Sequence, residues 1–332
     1  MAVVTIAGPI APELIDAVAG PLTAGGHDVV AAVGQGSEAI EPGRLARTEI
    51  LVPVGIRCDA DLLAAAPRLR AIVTPFLGID LIDLTAASRA GVLVANGGAR
   101  EHSVSMAEAT ILLMLAACYE LPKSVGDMDP WRAGARSIRR RMVSGLTVGV
   151  LGYGSIARIV AERLASWDVD LIVHNRTPHA LPPGARFVGF EELVRNADIL
   201  LVLVGLAPET RHILDRDALS RMKTDAVIVN SARGALIDEA ALVDWLRESP
   251  SRRAALDVFE VEPLPPDSPL RDLPNALLTP HCAGHTQDSI AGMIRVTIAN
   301  VEAAAAGRPP ATTCNREILD RWPARTEAGP PA

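Results

Sequence analysis

The sequence predicts an α/β protein built on two doubly wound parallel sheets. Short β-branched runs alternate with segments of helical spacing along the chain, and this alternation is typical of parallel sheets with helices on both faces. The length of 332 residues is enough for two domains of ordinary size. Because hydrophobic residues make up 49% of the chain and aromatic ones only 3%, the cores must consist of small and branched aliphatic side chains. Such cores suit helices packed closely on buried strands.

The predicted strands form two series. The first covers residues 3–6, 29–33, 50–54, 69–73 and 92–94, and the second covers 147–151, 170–174, 199–204, 226–230, 253–256 and 276–278. Helical spacing is found at 103–121, 155–166, 239–248 and about 289–307. An irregular stretch at 122–144 contains a basic run at 139–141, which we interpret as a solvated loop. We expect the Pro/Ala-rich tail to be disordered.

Composition excludes several classes of protein. A net charge of −7 argues against a nucleic-acid surface. The four cysteines form no CxxC pair, so we expect neither a metal site nor a disulfide framework, and the compartment is predicted to be reducing. No basic region followed by an apolar run opens the chain, and the longest apolar stretch, residues 111–118, is too short to span a bilayer. We therefore expect a cytoplasmic protein without a membrane partner.

The segment TVGVLGYGSIA at residues 147–157 has the pattern of a strand that runs into a helix through a glycine turn. Gly152 permits the tight turn, Gly154 lets the backbone approach a pyrophosphate, and Ala157 allows helix and strand to pack closely. The N–H groups at the helix start attract phosphate. Alone the pattern is weak, but its strand and helix context predicts a dinucleotide site. We expect the dinucleotide to contact Gly152, Tyr153, Gly154, Ser155 and Ile156.

The next strand ends at Asn175-Arg176-Thr177, where an NAD site usually places an acid on the ribose hydroxyls. A neutral Asn175 does not repel a 2′-phosphate, and Arg176 can pair with one. The hypothesis is a preference for NADP over NAD, with all three residues contacting the cofactor. The alternative is that Arg176 is only a solvent-exposed loop residue and that Asn175 still accepts NADH.

Three later segments each place an ionisable residue just after a strand: VNSARG at 229–234, ALDVFEVEP at 255–263 and LTPHCAG at 278–284. Together with the glycine turn they resemble the D-isomer-specific 2-hydroxyacid dehydrogenase family, in particular its glyoxylate/hydroxypyruvate reductase-like members. Further matching stretches lie at 78–83, 91–96, 106–108 and 207–211. The resemblance implies that Arg233, Glu262 and His281 form the active site, and their spacings are similar to those of family members. Taken singly, each of the three has an ordinary structural explanation.

The chemistry explains these residue types. Reduction of a 2-oxo acid needs a hydride at the carbonyl carbon and a proton at its oxygen, and an imidazolium at His281 supplies that proton. A carboxylate at Glu262 favours the charged imidazole. The fork of donors on Arg233 can hold the substrate carboxylate and polarise the carbonyl. In the oxidative direction His281 becomes the base. The nearby His285 does not fit the Pro-His-x-Ala-Gly match.

The resemblance also implies an architecture. A Rossmann cofactor domain, residues 99–285, would be inserted in a flavodoxin-like substrate domain formed by residues 1–98 and 286–332, and the assembly would be a homodimer. The backbone of Leu77 and Gly78 would bind the substrate carboxylate from the substrate domain. The remaining cofactor contacts implied are Val204, Ser231, Asp257 and Gly284. No metal is implied.

Two alternatives stay open. A formate-dehydrogenase-like hydride transfer needs no proton donor pair, and Glu262 argues against it. A nucleotide-sensing protein similar to the corepressors on this fold would bind cofactor without significant turnover. Glyoxylate, hydroxypyruvate, pyruvate and bulkier 2-oxo acids all fit the sequence, whereas the apolar Phe76 and Leu77 disfavour phosphorylated substrates.

Overall fold

The structure, a computed structural model, describes residues 1–34, 36–121 and 140–322. Most of the irregular stretch predicted at 122–144, the start of its basic run and the predicted disordered tail lie outside these residues. The chain forms two compact units. The first consists of Met1–His102 and Thr286–Ala332, and the second of Ser103–His285.

The first unit contains a five-stranded parallel sheet. Its strands are β1 (Val3–Gly8), β2 (Asp28–Val33), β3 (Ile50–Pro53), β4 (Ala71–Val73) and β5 (Leu93–Ala95). Their order is β2-β1-β3-β4-β5 and every pair is parallel. This is the flavodoxin-like order, so the fold class predicted for this unit is confirmed.

The second unit contains a seven-stranded parallel sheet. Its strands are β6 (Thr147–Leu151), β7 (Asp170–His174), β8 (Arg186–Phe187), β9 (Ile199–Val202), β10 (Val227–Asn230), β11 (Arg253–Leu256) and β12 (Ala276–Leu278). The order β12-β11-β10-β9-β6-β7-β8 is the Rossmann order with one strand added. Strand order reverses between β6 and β9, and ligands of such sheets bind beyond the carboxyl ends of the strands at that point.

Ten helices connect these strands in the described residues. They are α1 (Pro12–Ala24), α2 (Pro42–Leu45), α3 (Ala60–Ala65), α4 (Leu84–Arg89), α5 (Arg100–Cys118), α6 (Ser155–Leu164), α7 (Phe190–Asn196), α8 (Arg216–Ser220), α9 (Glu239–Glu248) and α10 (Gln287–Ala305). Several begin at an aspartate or threonine whose side chain accepts a backbone N–H of the first turn. These capping residues are Asp59, Asp83, Asp215, Asp238 and Thr286. No helix of the described part of the chain has both the length and the apolar character that a bilayer crossing requires.

The core of the second unit lies on both faces of its sheet. Leu200 and Val202 face one apolar layer together with Leu242 of α9, whereas Ile199 and Leu201 face the other. All four residues of β9 are buried, which explains why this strand is a continuous apolar run in the sequence. The sheet is therefore a rigid base from which the strand ends present the residues that follow them.

Candidate active site

The three predicted catalytic residues follow three neighbouring strands. Arg233 comes after β10, Glu262 after β11 and His281 after β12, and these strands are adjacent and parallel. The carboxyl ends of adjacent parallel strands lie at one edge of the sheet. The structure thus brings all three segments to the same edge of the second unit.

His281 and Glu262 form a hydrogen-bonded ion pair. The distance from His281 Nδ1 to Glu262 Oε2 is 2.6 Å, and Glu262 Oε1 accepts the N–H of Phe259 at 2.9 Å. The pair leaves Nε2 of His281 as the ring nitrogen that can exchange a proton with a bound molecule. Both side chains keep partial access to solvent, with exposed fractions of 47% for His281 and 35% for Glu262.

The pair favours the imidazolium form. The hydrogen bond to Glu262 raises the pKa of His281 above its ordinary value, against the opposing effects of burial and of the charge on Arg233. Burial by itself would raise the pKa of Glu262, but the hydrogen bonds from His281 and the Phe259 N–H outweigh it, and the pKa is lowered. Each partner therefore stabilises the charged form of the other, and His281 can act as an acid near neutral pH.

Asp257 holds the loop that carries His281. Its carbonyl oxygen accepts the N–H of His281 at 2.8 Å. Its buried carboxylate accepts hydrogen bonds from Thr279 Oγ1 (2.7 Å), the Cys282 N–H (3.0 Å) and the Ala283 N–H (3.1 Å). His281 adopts a left-handed φ of 51°, which a non-glycine residue rarely takes without such restraint. The contact predicted between Asp257 and a nicotinamide stays a prediction, whereas its role in the loop was not foreseen.

Asn230 shapes the turn that presents Arg233. Its buried side chain donates to the carbonyl of Arg233 at 2.8 Å and accepts the N–H of Ala232 at 3.1 Å. The guanidinium also donates to the carbonyl of Ala232 at 2.6 Å. The next residue is Gly234, where a Cβ would lie 1.9 Å from the carbonyl carbon of Phe259. Only glycine permits this approach of the Arg233 segment to the segment that carries Glu262.

The glycine turn between β6 and α6 has the shape that a dinucleotide requires. Gly152 has a φ of +93°, and a Cβ there would lie 2.5 Å from Cα of Val204. At Gly154, by contrast, a Cβ would meet nothing within 4 Å, so the backbone is open on that side. No side chain caps α6, and the N–H groups of Ser155 and Ile156 have no partner among the described residues. These groups fit the pyrophosphate of a nicotinamide dinucleotide.

Asn175 ties this turn to the end of β7. Its Oδ1 accepts the N–H of Tyr153 at 3.2 Å, and its Nδ2 donates to the carbonyl of Thr177 at 2.7 Å. The ring of Tyr153 is buried and packs edge-on against Phe187, so this side chain belongs to the core. Arg176 is exposed, and no carboxylate in the described ranges forms an ion pair with it.

Three other predicted cofactor contacts, Val204, Ser231 and Gly284, lie in closely packed surroundings. Val204 lies against the backbone of Gly152, as described above. The hydroxyl of Ser231 is 2.8 Å from that of Thr110 on α5, and a Cβ on Gly284 would lie 2.1 Å from Sδ of Met106. Ser231 is thus hydrogen-bonded to α5, and a larger residue at 284 would have to displace the side chain of Met106.

The predicted carboxylate-binding backbone belongs to the first unit. The carbonyl of Leu77 accepts a hydrogen bond from Asn96 Nδ2 at 3.0 Å, and the carbonyl of Phe76 accepts the N–H of Gly97 at 2.8 Å. Among the described residues, the N–H groups of Leu77 and Gly78 have no partner and can bind an anion. Asn96 was part of a matching stretch of sequence, but its side-chain role was not predicted.

Chemically, the second unit combines a proton donor of raised pKa, a neighbouring cation and an open glycine turn. In the described residues no group of three or more His, Cys, Asp or Glu side chains is arranged to hold a metal ion. The arrangement suits proton transfer to an oxygen that becomes anionic when a hydride is added to its carbon.

Comparison with known proteins places this arrangement in a family. Residues 111–283 match the family described as D-isomer specific 2-hydroxyacid dehydrogenase, NAD binding domain. The chain is 36% identical over 272 residues to a glyoxylate reductase of Aeropyrum pernix, which covers 79% of this chain and 81% of the relative. The crystal structure of a glyoxylate reductase from Paecilomyes thermophila superposes with a TM-score of 0.83 at 27% identity, over 95% of this chain and 99% of that one.

A second kind of relative is longer than this chain. The D-3-phosphoglycerate dehydrogenase of Methanocaldococcus jannaschii is 36% identical over 246 residues, which are 72% of this chain but only 46% of the relative. The chain therefore spans about half the length of that relative.

Proposed function

The chain belongs to the D-isomer specific 2-hydroxyacid dehydrogenase family, and from this premise we propose how its residues divide the reaction. Membership makes it an NAD(P)-dependent oxidoreductase of 2-hydroxy acids, and a nucleotide-sensing protein without turnover is not favoured. The observation that carries the proposal is the His281–Glu262 ion pair beside Arg233. When bound, the nicotinamide supplies the hydride that reduces a 2-oxo acid, or accepts it in the reverse direction.

His281 moves the proton. In reduction, Nε2 of the imidazolium donates to the carbonyl oxygen of the substrate, and Glu262 stabilises the charge that is present before the transfer. In oxidation, the neutral imidazole takes the proton of the hydroxyl group. Glu262 keeps Nδ1 protonated in both directions, so the ring always presents Nε2 to the substrate.

Arg233 binds and polarises the substrate. Its guanidinium pairs with the substrate carboxylate and stabilises the oxygen that gains negative charge during hydride addition. We assign the remaining carboxylate contacts to the N–H groups of Leu77 and Gly78, which would make the first unit the substrate-binding domain. The second unit would be the cofactor-binding domain, with contacts at Gly152, Tyr153, Gly154, Ser155, Ile156, Asn175, Arg176, Thr177, Val204, Ser231, Asp257 and Gly284.

The cofactor preference proposed is NADP. Asn175 brings no negative charge to the end of β7, and Arg176 offers a cation with no carboxylate partner in the described residues. We expect Arg176→Ala to weaken NADPH binding about tenfold, measured by fluorescence titration, and to leave NADH binding within about twofold. Arg195→Ala removes another exposed arginine of the same unit and serves as control. Equal loss of affinity for both cofactors would contradict the assignment.

The substrate class proposed is a small 2-oxo acid without a phosphate group. The experiment is the initial rate of NADPH and NADH oxidation with glyoxylate, hydroxypyruvate, pyruvate and bulkier 2-oxo acids. His281→Ala should lose about 10²–10⁴-fold in kcat, as expected for a removed general acid, whereas His285→Ala should keep wild-type rates. If no acid is reduced while nucleotide still binds, the nucleotide-sensing alternative is favoured instead.

We further propose a cytoplasmic homodimer. The described cysteines, Cys58, Cys118, Cys282 and Cys314, are all free thiols, which supports a reducing compartment. On α5 and just after it, the exposed fractions of Leu112, Tyr119 and Leu121 are 61%, 46% and 47%, and such apolar exposure supports a subunit contact. Sedimentation equilibrium tests the dimer, and Leu112→Glu should shift it towards the monomer.

A further inference from the structure

The carboxylate of Glu262 depends on the turn that carries it. Its Oε1 accepts the N–H of Phe259 in the same turn at 2.9 Å, while its Oε2 pairs with His281. The turn, residues 259–262, lies outside the helices and strands. A displacement of the turn would therefore move Glu262 relative to the imidazole.

The same turn is held from outside through Glu260. The backbone N–H of Glu260 donates to Oε2 of Glu239 at 3.1 Å. The side chain of Glu260 forms a hydrogen bond with Nε2 of His212. Glu239 is the first residue of α9, and the side chain of Asp238 caps this helix. The hydrogen bond between the Glu260 N–H and Glu239 therefore attaches the turn to a helix.

His212 and Glu239 are both connected to the residues that follow Arg233. His212 has a left-handed φ of 50°, and its N–H donates to the carbonyl of Ala235 at 2.8 Å. A parallel bridge between Leu214 and Ile237 continues this contact. The two side chains therefore connect the segment that follows Arg233 to the turn that carries Glu262.

We propose that Glu239 and His212 are positioning residues, which hold the 259–262 turn through Glu260 and so keep the Glu262 carboxylate in place against His281. The predicted effect on turnover rests on the proposed function, whereas the positioning of Glu262 does not. His212 and Glu260 retain exposed fractions of 35% and 28%, so their contact is not required to fill the core.

Several charged groups surround Glu239, His212 and Glu260. Glu260 faces both His212 and Glu239, whereas His281 faces Glu262, Arg233 and Asp257. Burial raises the pKa of Glu239, the charge of Glu260 adds to this, and the hydrogen bond from the Glu260 N–H opposes it. The carboxylates of Glu239 and Glu260 therefore lie close together, and that of Glu239 accepts the backbone N–H of Glu260 in the turn.

The test compares Glu239→Ala with Glu239→Gln, whose amide oxygen can still accept the Glu260 N–H. The first readout is the imidazole titration of His281, followed by NMR in the protein without cofactor and assigned with His281→Ala. We expect Glu239→Ala to lower the pKa of His281 by about half to one unit and Glu239→Gln to restore most of it. The second readout is turnover: kcat should fall about three- to tenfold and KM for the 2-oxo acid should change less than about twofold.

Two further variants separate positioning from a general effect. His212→Asn tolerates the left-handed backbone and should shift the His281 titration in the same direction by a smaller amount. Glu191→Ala removes an acid from the first turn of another helix and should leave the titration unchanged.

A folded Glu239→Ala protein whose His281 titrates as in the wild type would overturn the proposal. If instead the titration shifts but the wild type reduces no 2-oxo acid, the proposed function fails and the positioning role stands.

Discussion

At the residue scale, the proposed role of His281 as the acid predicts a pH dependence for both reaction directions, because its pKa is raised. In the proposed mechanism reduction requires the imidazolium, so its rate should be full below the pKa of His281 and should be lost as the pH rises through it; oxidation should have the opposite dependence. Because Glu262 raises that pKa, Glu262→Gln should move both profiles down by about one pH unit and reduce reductive kcat/KM at pH 8 about tenfold. The measurement is kcat/KM between pH 5 and 10. Glu192→Gln is a control on an exposed ion pair, and an unshifted profile in Glu262→Gln would contradict the role of Glu262.

Some residues of the site could be predicted from the sequence and others could not. The segments that carry Arg233, Glu262 and His281 could be placed because each follows a predicted strand, and adjacent parallel strands end at one edge. The resemblance to the family then singled out these three residues. The roles of Asp257 and Asn96 could not, because their side chains act on backbone groups 19 to 26 residues away along the chain. Such contacts depend on how loops close, which no local pattern of residues encodes.

At the element scale, the two glycines of the β6–α6 turn should respond differently to the same change. Gly152→Ala brings a Cβ to 2.5 Å from Cα of Val204 at a φ of +93°, so it should destabilise the fold by roughly 1–3 kcal/mol. Gly154→Ala meets nothing within 4 Å, so stability should hold while dinucleotide affinity falls about tenfold, because the new methyl group occupies the open backbone. Urea unfolding and fluorescence titration of the cofactor measure the two effects. A Gly154→Ala protein with wild-type affinity would mean that the dinucleotide does not approach this backbone.

The predicted strands illustrate why element prediction succeeded and where it stopped. All eleven predicted runs form strands. Most of these strands are buried on both faces and so have few polar positions, whereas β2 and β12 lie at sheet edges and are more exposed. A twelfth strand, β8, was not predicted. It has only two residues, Arg186 and Phe187, and pairs at the edge of the sheet beside β7. So short a strand is defined by its neighbour and not by its own sequence. The start of α5 at Arg100, before the predicted Ser103, has a similar cause, since no capping residue marks it in the sequence.

At the scale of the whole molecule, the first unit is assembled from both ends of the described chain. Helix α10 contributes Val301 and Ala304 to the core that also contains Val4 and Ile50. Trp322, the last described residue, is fully buried in this core, and its Nε1 donates to the carbonyl of Arg70 at 2.8 Å. The sheet of the first unit therefore lacks part of its apolar cover until the chain has passed through the whole second unit.

Trp322→Ala should consequently destabilise the first unit and leave the second unit's cofactor site intact. Removing a fully buried indole costs about 3–5 kcal/mol, whereas Trp322→Phe keeps most of the apolar volume and should cost about 1–2 kcal/mol, mainly from the lost hydrogen bond. Urea unfolding gives these differences, and dinucleotide titration at low temperature, where both variants are folded, should give wild-type affinity. An equal loss of cofactor binding in Trp322→Ala would mean that the dinucleotide site depends on the core of the first unit. Unchanged stability would mean that residues 286–322 do not complete that core.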